Sequence, residues 1–434
     1  MSSIPGSRLC TKTSIPAFSN REAGITSEHT NTPFMTALDL ALRFMLVAAA
    51  VSIVTEELRI PYTIALVAVG LAIGNLHLVP PIQVTSEILL TLLIPPLLFE
   101  GGLRLPPRHL KTYWGLIGLL AIPGTLVTAA ALGWTASVLF HIDLRSALLL
   151  GAIVSAIDPV SVQALLREAR LDLRLGAVLN GEAILNDGVA IILFTILAGT
   201  AVGPAAATLR FVWLLAGGIA SGSLVALATS YALGRTQRPL VEVLGSLIAS
   251  VGALLAAESL GASGVIAVVS AGVVFASYGP RHLTDTGRET VSIIWDMIAF
   301  LANSLLFLLI GIEVPAALLG RYWSLIAVVA VAGLLVRWAV VRGSMAIWQT
   351  RTRLLPNAWR PVLVWGGLRG GVAIALALGL APAVPGRDAI VAGAFGLVVF
   401  TLLVQGLSMR PVMRWAGLLP GPRRSAASAA TGSG

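Results

Sequence analysis

Charged side chains are scarce: they make up 11% of the 434 residues, against about 25% in an ordinary soluble domain. A chain this long cannot keep itself in water with so little charge, which excludes a large soluble enzyme. The formal net charge of +9 does not mark a nucleic-acid partner either, because the arginines are spread among short connections rather than gathered in one module. Cysteine is nearly absent. The single Cys10 can form neither an intrachain disulfide nor a cysteine-based metal centre. Also missing are the dyad-alternating segments of about ten residues that build an outer-membrane barrel. Residues 1–35 hold no apolar core of the length a secretory signal needs, so none is expected there.

What is present is apolar sequence, 57% of the residues, with a mean hydropathy of +0.91. It comes in runs of roughly 18 to 25 residues, each able to cross a bilayer as a helix. The pattern predicts an all-α polytopic membrane protein with about thirteen transmembrane helices. The spans fall near 36–55, 61–78, 84–102, 113–140, 145–166, 176–200, 209–233, 240–258, 261–279, 289–315, 322–348, 359–381 and 388–409. Residues 1–35 read as a disordered N-terminal segment, 36–410 as the transmembrane domain and 411–434 as a short tail.

Lysine and arginine placement orients these spans. Odd-numbered connections and the tail carry eighteen (Arg104, Arg108, Lys111, Arg167, Arg170 and Arg174 among them), and even-numbered ones only Arg145, Arg210, Arg321 and Arg387. The positive-inside rule then puts the C-terminus in the cytoplasm and the N-terminus outside, as expected for an inner-membrane protein.

Ionisable groups inside a span cost about 2.5 to 3.5 kcal/mol each on insertion scales, so those that remain are functional candidates. Asp158, Glu182, Asp187, Asp296, Arg337 and Arg369 stand out. Glu100 and Arg342 are placed where either can snorkel to the interface, and Asp39 and Arg43, four apart, can pair on one helix face. Pro159 after Asp158 removes an amide donor, so the fifth span is expected to break there, with freed carbonyls available to a cation. In the sixth span Glu182 and Asn186 share a face, and Asp187 is turned about 100° from it. Glu182 needs a counter-charge from Arg337 or Arg369; Arg337 is favoured, and the sequence does not choose. Gly366, Gly367, Gly370 and Gly371 around Arg369 weaken the twelfth span and make it the natural partner of the broken fifth. Comparable breaks in residues 36–200 and 240–410, with 209–233 as a linker helix, predict two inverted repeats with broken, crossing helices.

The order of Leu98-Phe99-Glu100-Gly101-Gly102-Leu103, Asp158-Pro159, Glu182 with Asn186-Asp187, Asn303-Ser304-Leu305-Leu306-Phe307 and Gly366-Gly367-Leu368-Arg369-Gly370 resembles the cation:proton antiporters of the NhaP and Na+/H+ exchanger type, the monovalent cation:proton antiporter 1 family. The resemblance implies a NapA/NhaP-like fold and a homodimer in lipid. It further implies that Asp187 carries ion and proton with Asp158 beside it, and that Asn186 before the aspartate goes with electroneutral exchange. Ile157 and Ala183 stand where the family often has hydroxyl residues, which bears on ion selectivity.

The residues themselves lead to the same mechanism. A desolvated Asp187 can hold either a proton or a cation, and competition for one carboxylate is sufficient for antiport. The monovalent cation, Na+ or K+, is cargo bound at Asp187 and Asp158, and no cofactor, nucleic acid or enzymatic activity is expected. Two rival readings use the same residues: a cation channel or proton-coupled symporter, and an intramembrane aspartyl protease with Asp158 and Asp187 as its dyad.

Overall fold

The protein is described by a computed structural model over residues 33–58, 62–76, 89–159, 172–199, 203–314, 316–350 and 355–418, with the side chains of 33–41 and 58 excepted. The expected disorder at the N-terminus and beyond Pro420 lies outside these residues, apart from the helical start at 33–35, and so does the side chain of Asp39. Two units are distinguished, up to Arg43 and from Phe44 onward. The described part of the first is the start of the first helix, and the packing and the site described below concern the second.

Every regular element among the described residues is helical. In chain order they are α1 (Pro33–Leu58), α2 (Tyr62–Asn75), α3 (Leu89–Leu103), α4 (Pro107–Ala121), α5 (Pro123–Phe140), α6 (Leu144–Ser155), α7 (Leu173–Ala198), α8 (Pro204–Leu233), α9 (Pro239–Ser259), α10 (Gly264–Arg281), α11 (Asp285–Ile312), α12 (Trp323–Gln349), α13 (Trp359–Trp365), α14 (Gly371–Leu378) and α15 (Arg387–Trp415), with a short turn of helix at Ala316–Arg321. Among the described residues, eight helical stretches are long and apolar enough to cross a membrane, counting α4 and α5 together, and α2, α3 and α6 are shorter apolar helices.

Packing sorts the helices into two groups. In one, α2 lies on α11, α3 on α10, and α8 on α9 and α10; in the other, α4 lies on α7, α5 on α6 and α12, and α14 on α6 and α15. Small residues permit the closest approaches, as membrane helices without a hydrophobic drive between them require. A Cβ on Gly272 of α10 would stand 2.5 Å from the Phe99 carbonyl oxygen of α3.

Two helices are interrupted. Helix α6 ends at Ser155, where Ala156 turns extended (φ −60°, ψ 135°), and regular structure is absent through Asp158. Pro159 is the local cause: it has no N–H for the Ser155 carbonyl and disfavours helical backbone at Asp158. The second interruption spans Gly366 to Gly370, between α13 and α14. Four glycines in six residues give that segment little reason to stay helical.

Candidate functional site

The two interruptions lie against each other. The Asp158 amide donates to the Leu368 carbonyl at 2.8 Å, and the Arg369 Nη1 donates to the carbonyls of Ser155 at 2.5 Å and Ala156 at 3.0 Å. Ser155 is the carbonyl that Pro159 leaves without a partner, so Arg369 caps the C-terminal end of α6, where the helix dipole also favours a cation. The freed carbonyls are therefore occupied by a guanidinium, which corrects the expectation that they stand open to a cation. Arg369 is itself anchored by its amide, which donates to Thr401 Oγ1 at 3.1 Å.

Arg337 does the same for the other break. Its Nε and Nη2 donate to the Leu363 carbonyl at 3.1 and 2.7 Å, near the C-terminal end of α13. The same guanidinium forks onto Glu182, Nη1 to Oε1 and Nη2 to Oε2, the latter at 2.9 Å. Arg337 is thus the partner of Glu182, and both are buried. A two-pronged geometry with extra carbonyl bonds is what a desolvated ion pair needs in order to persist.

One turn along α7, Asn186 is locked by two bonds. Its Oδ1 accepts from the Ile157 amide at 2.7 Å and its Nδ2 donates to Thr125 Oγ1 at 2.5 Å. Asp187 is 2% exposed and its Oδ1 has no hydrogen-bond partner among the described residues. Asp158 and Arg369 both act on it electrostatically. Asp158 is buried at the first residues of α14: a Cβ added at Gly370 would stand 2.5 Å from its Cβ and Cγ and 2.9 Å from its Oδ2. The positive end of α14 therefore faces that carboxylate.

Other residues marked in the sequence lie elsewhere. Asp296 is not brought to Asp187; it pairs with Arg104, which also pairs with Glu100, beside a cavity of about 410 Å³ between α3, α10 and α11. Glu100 does not snorkel but is buried, whereas Arg342 is exposed, its guanidinium 5.5 Å from the Trp338 ring. Ser304 exchanges a hydrogen bond with Tyr62 Oη at 2.7 Å, and Asn303 is buried with its Oδ1 unpartnered among the described residues. Thr125, Thr401 and Ser155 escaped the sequence reading because uncharged polar residues do not stand out in an apolar run. Glu242 also escaped it, although a carboxylate within the apolar block 240–258 was a legible signal. It is fully buried and accepts from Thr284 N at 3.2 Å and Oγ1 at 3.1 Å, ahead of α11.

Residues 44–415 match the family model described as sodium/hydrogen exchanger, transmembrane. The chain belongs to this exchanger family. Among its relatives, the Na(+)/H(+) antiporter ApNhaP of Aphanothece halophytica is 38% identical over 369 residues, covering 83% of this chain and 70% of that protein. The low-affinity Na(+)/H(+) antiporter NhaS1 of Synechocystis is 36% identical over 397 residues, covering 89% and 75%. The fold of this exchanger-family chain is that of the sodium proton antiporter MjNhaP1 of Methanocaldococcus jannaschii, with a TM-score of 0.75, 18% identity, and coverage of 88% of this chain and 99% of that one.

Proposed function

We propose that this protein is a monovalent cation/proton antiporter in which cation and proton compete for Asp187. The observation that carries the reading is the Asp187 carboxylate, buried at the crossing of two broken helices with one oxygen unpartnered among the described residues. Formal charge supports it. The site holds three carboxylates, of Asp158, Glu182 and Asp187, and two guanidinium groups, of Arg337 and Arg369, all buried. With all of them ionised the sum is −1, and one proton or one monovalent cation brings it to zero. An uncompensated charge is costly to carry through an apolar barrier, so the site moves when it is loaded and stays when it is empty.

Antiport follows without further parts. Asn186 cannot add a second titrating group, and its amide is committed to Ile157 and Thr125. Exchange is then one for one and electroneutral. We read the protein as a homodimer in the inner membrane, N-terminus outside and C-terminus cytoplasmic. The family resemblance supports the first part and the arginine distribution the second.

The test is a dequenching assay with an internal pH dye in proteoliposomes, imposing gradients of Na+, K+ or Li+. Proton movement driven by at least one of these gradients is expected. Failure of all three overturns the reading, and proton flux that persists without a counter-cation would favour a channel.

A further inference from the structure

Gly333 and Arg337 of α12, Gly367 and Arg369 of the second break, and Thr401 and Gln405 of α15 line a cavity of about 20 Å³. Gln405 is 2% exposed, and its Oε1 has no hydrogen-bond partner among the described residues. Such a buried amide oxygen is costly to leave unmatched. Thr401 and Gln405, four apart and therefore on one helix face, both lie in the π-helical turn Thr401–Gly406 within α15. Widened turns of this kind often mark functional positions in helices.

We propose that Gln405 is a positioning residue acting through one ordered water held between its Oε1 and the Arg369 guanidinium. Size and chemistry select the occupant. A water needs about 10 to 15 Å³ and two to four polar partners. Here Gln405, Arg369 and Thr401 line the space; Gln405 supplies the unmatched oxygen and Arg369 the donors, while Thr401 Oγ1 already donates to the Val398 carbonyl and accepts from the Arg369 amide. A cation is repelled by the two arginines. An anion can only accept hydrogen bonds and would leave the Gln405 oxygen unmatched, whereas water accepts from Arg369 and donates to Gln405. Among the described residues, the Arg369 guanidinium donates hydrogen bonds only through Nη1, to the α6 carbonyls. The water therefore gives it a further partner and keeps its charge in place beside Asp187.

Two variants remove the water in different ways. Gln405→Leu deletes its acceptor. Gly333→Ala narrows the cavity that holds it, since Gly333 lines that cavity, is buried, and has room for a Cβ, which meets nothing within 4 Å. Gly333→Ser puts a hydroxyl into the same cavity, where it can replace the water. A cryo-EM map of the wild type at a resolution that shows ordered water should contain a peak within hydrogen-bond distance of Gln405 Oε1 and Arg369, absent from the Leu and Ala variants. The kinetic readout rests on the antiport reading. In proteoliposomes both of these variants should raise the apparent KM for the exchanged cation about tenfold, the scale on which outer-shell partners of an ion site act, with kcat little changed. Gly333→Ser should stay near wild type, which a merely structural role for the cavity does not predict. No peak in the wild-type map, or a wild-type KM in either the Leu or the Ala variant, overturns the proposal. A wild type that moves no protons overturns antiport instead and leaves the density to decide the water.

Discussion

The Asp158 amide donates to the Leu368 carbonyl at 2.8 Å, so the two broken helices are joined by a backbone bond at the residue that carries one of the site's carboxylates. Any movement of the Gly366–Gly370 segment is thereby transmitted to Asp158, and the arginine that follows Leu368 caps the helix from which Asp158 emerges. Carboxylates, arginines and helix ends form one structural unit, and substitutions in it have separable effects.

Asp187→Asn should abolish cation-driven proton movement in proteoliposomes while the protein stays folded, because the amide is close in shape but cannot take up a proton or balance a cation. Size-exclusion profile and thermal stability establish the fold, and the dequenching assay establishes the loss. Brisk exchange by a folded Asp187→Asn protein would remove Asp187 from the mechanism.

Glu182→Gln should be less stable than Asp187→Asn, by about 3 to 5 kcal/mol, because it leaves the Arg337 charge buried without its carboxylate. Thermal unfolding in detergent compares the two. The double variant Glu182→Gln with Arg337→Met, which removes both charges, should recover part of the loss. Equal stability of the two single variants would mean that the pair contributes nothing.

Gly370→Ala should impair exchange with little change in folding. Its Cβ would stand 2.5 Å from the Asp158 side chain, closer than real Cβ atoms come, so the carboxylate has to shift. A displacement of that kind costs about a hundredfold where reacting groups must be held in register. A wild-type exchange rate in this variant would show that the position of Asp158 is not critical.

One-for-one exchange should be insensitive to voltage. With valinomycin setting the membrane potential to either sign, the rate of cation-driven proton movement should stay the same. A steep dependence on potential would require a second charge to move in each cycle, which the single step from −1 to zero does not provide.

Helix α7 begins at a cap whose contribution depends on pH. Asp172 accepts from the Arg174 amide at 2.9 Å and from its guanidinium, and the Arg174 hydrogen bond holds the carboxyl below the usual carboxylate range. A carboxyl lowered by folding contributes stability above its unfolded pKa and loses that contribution as pH falls through the folded value. Asp172→Ala should therefore cost about 1 kcal/mol near neutral pH, as loss of an N-cap does. The gap to wild type in thermal unfolding should close on acidification below pH ~4, the ordinary carboxylate range. A gap that widened on acidification would contradict this sign.

The membrane class, the interruptions at Asp158-Pro159 and around Arg369, and the presence of buried ionisable groups could all be read from the chain, because each depends on a local property. Hydropathy over a span sets insertion, a proline removes a donor from its own helix, and a charge in an apolar run is costly wherever the helix ends up packing. Pairing is not local. Arg337 and Arg369 are equivalent in sequence as partners for Glu182. Only the packing of α12 beside the end of α13 gives Arg337 both the Leu363 carbonyl and the Glu182 carboxylate, while the crossing of the breaks commits Arg369 to Ser155 and Ala156. The same packing sends Asp296 to Arg104 and Glu100, away from Asp187. It also brings Thr125 to Asn186, and Thr401 and Gln405 to the back of Arg369. Hydroxyls cost little within an apolar helix and leave almost no trace in its hydropathy, and an amide shows itself as polar without naming its partner. Their roles are set by which neighbour they meet, and that was decided only when the helices packed.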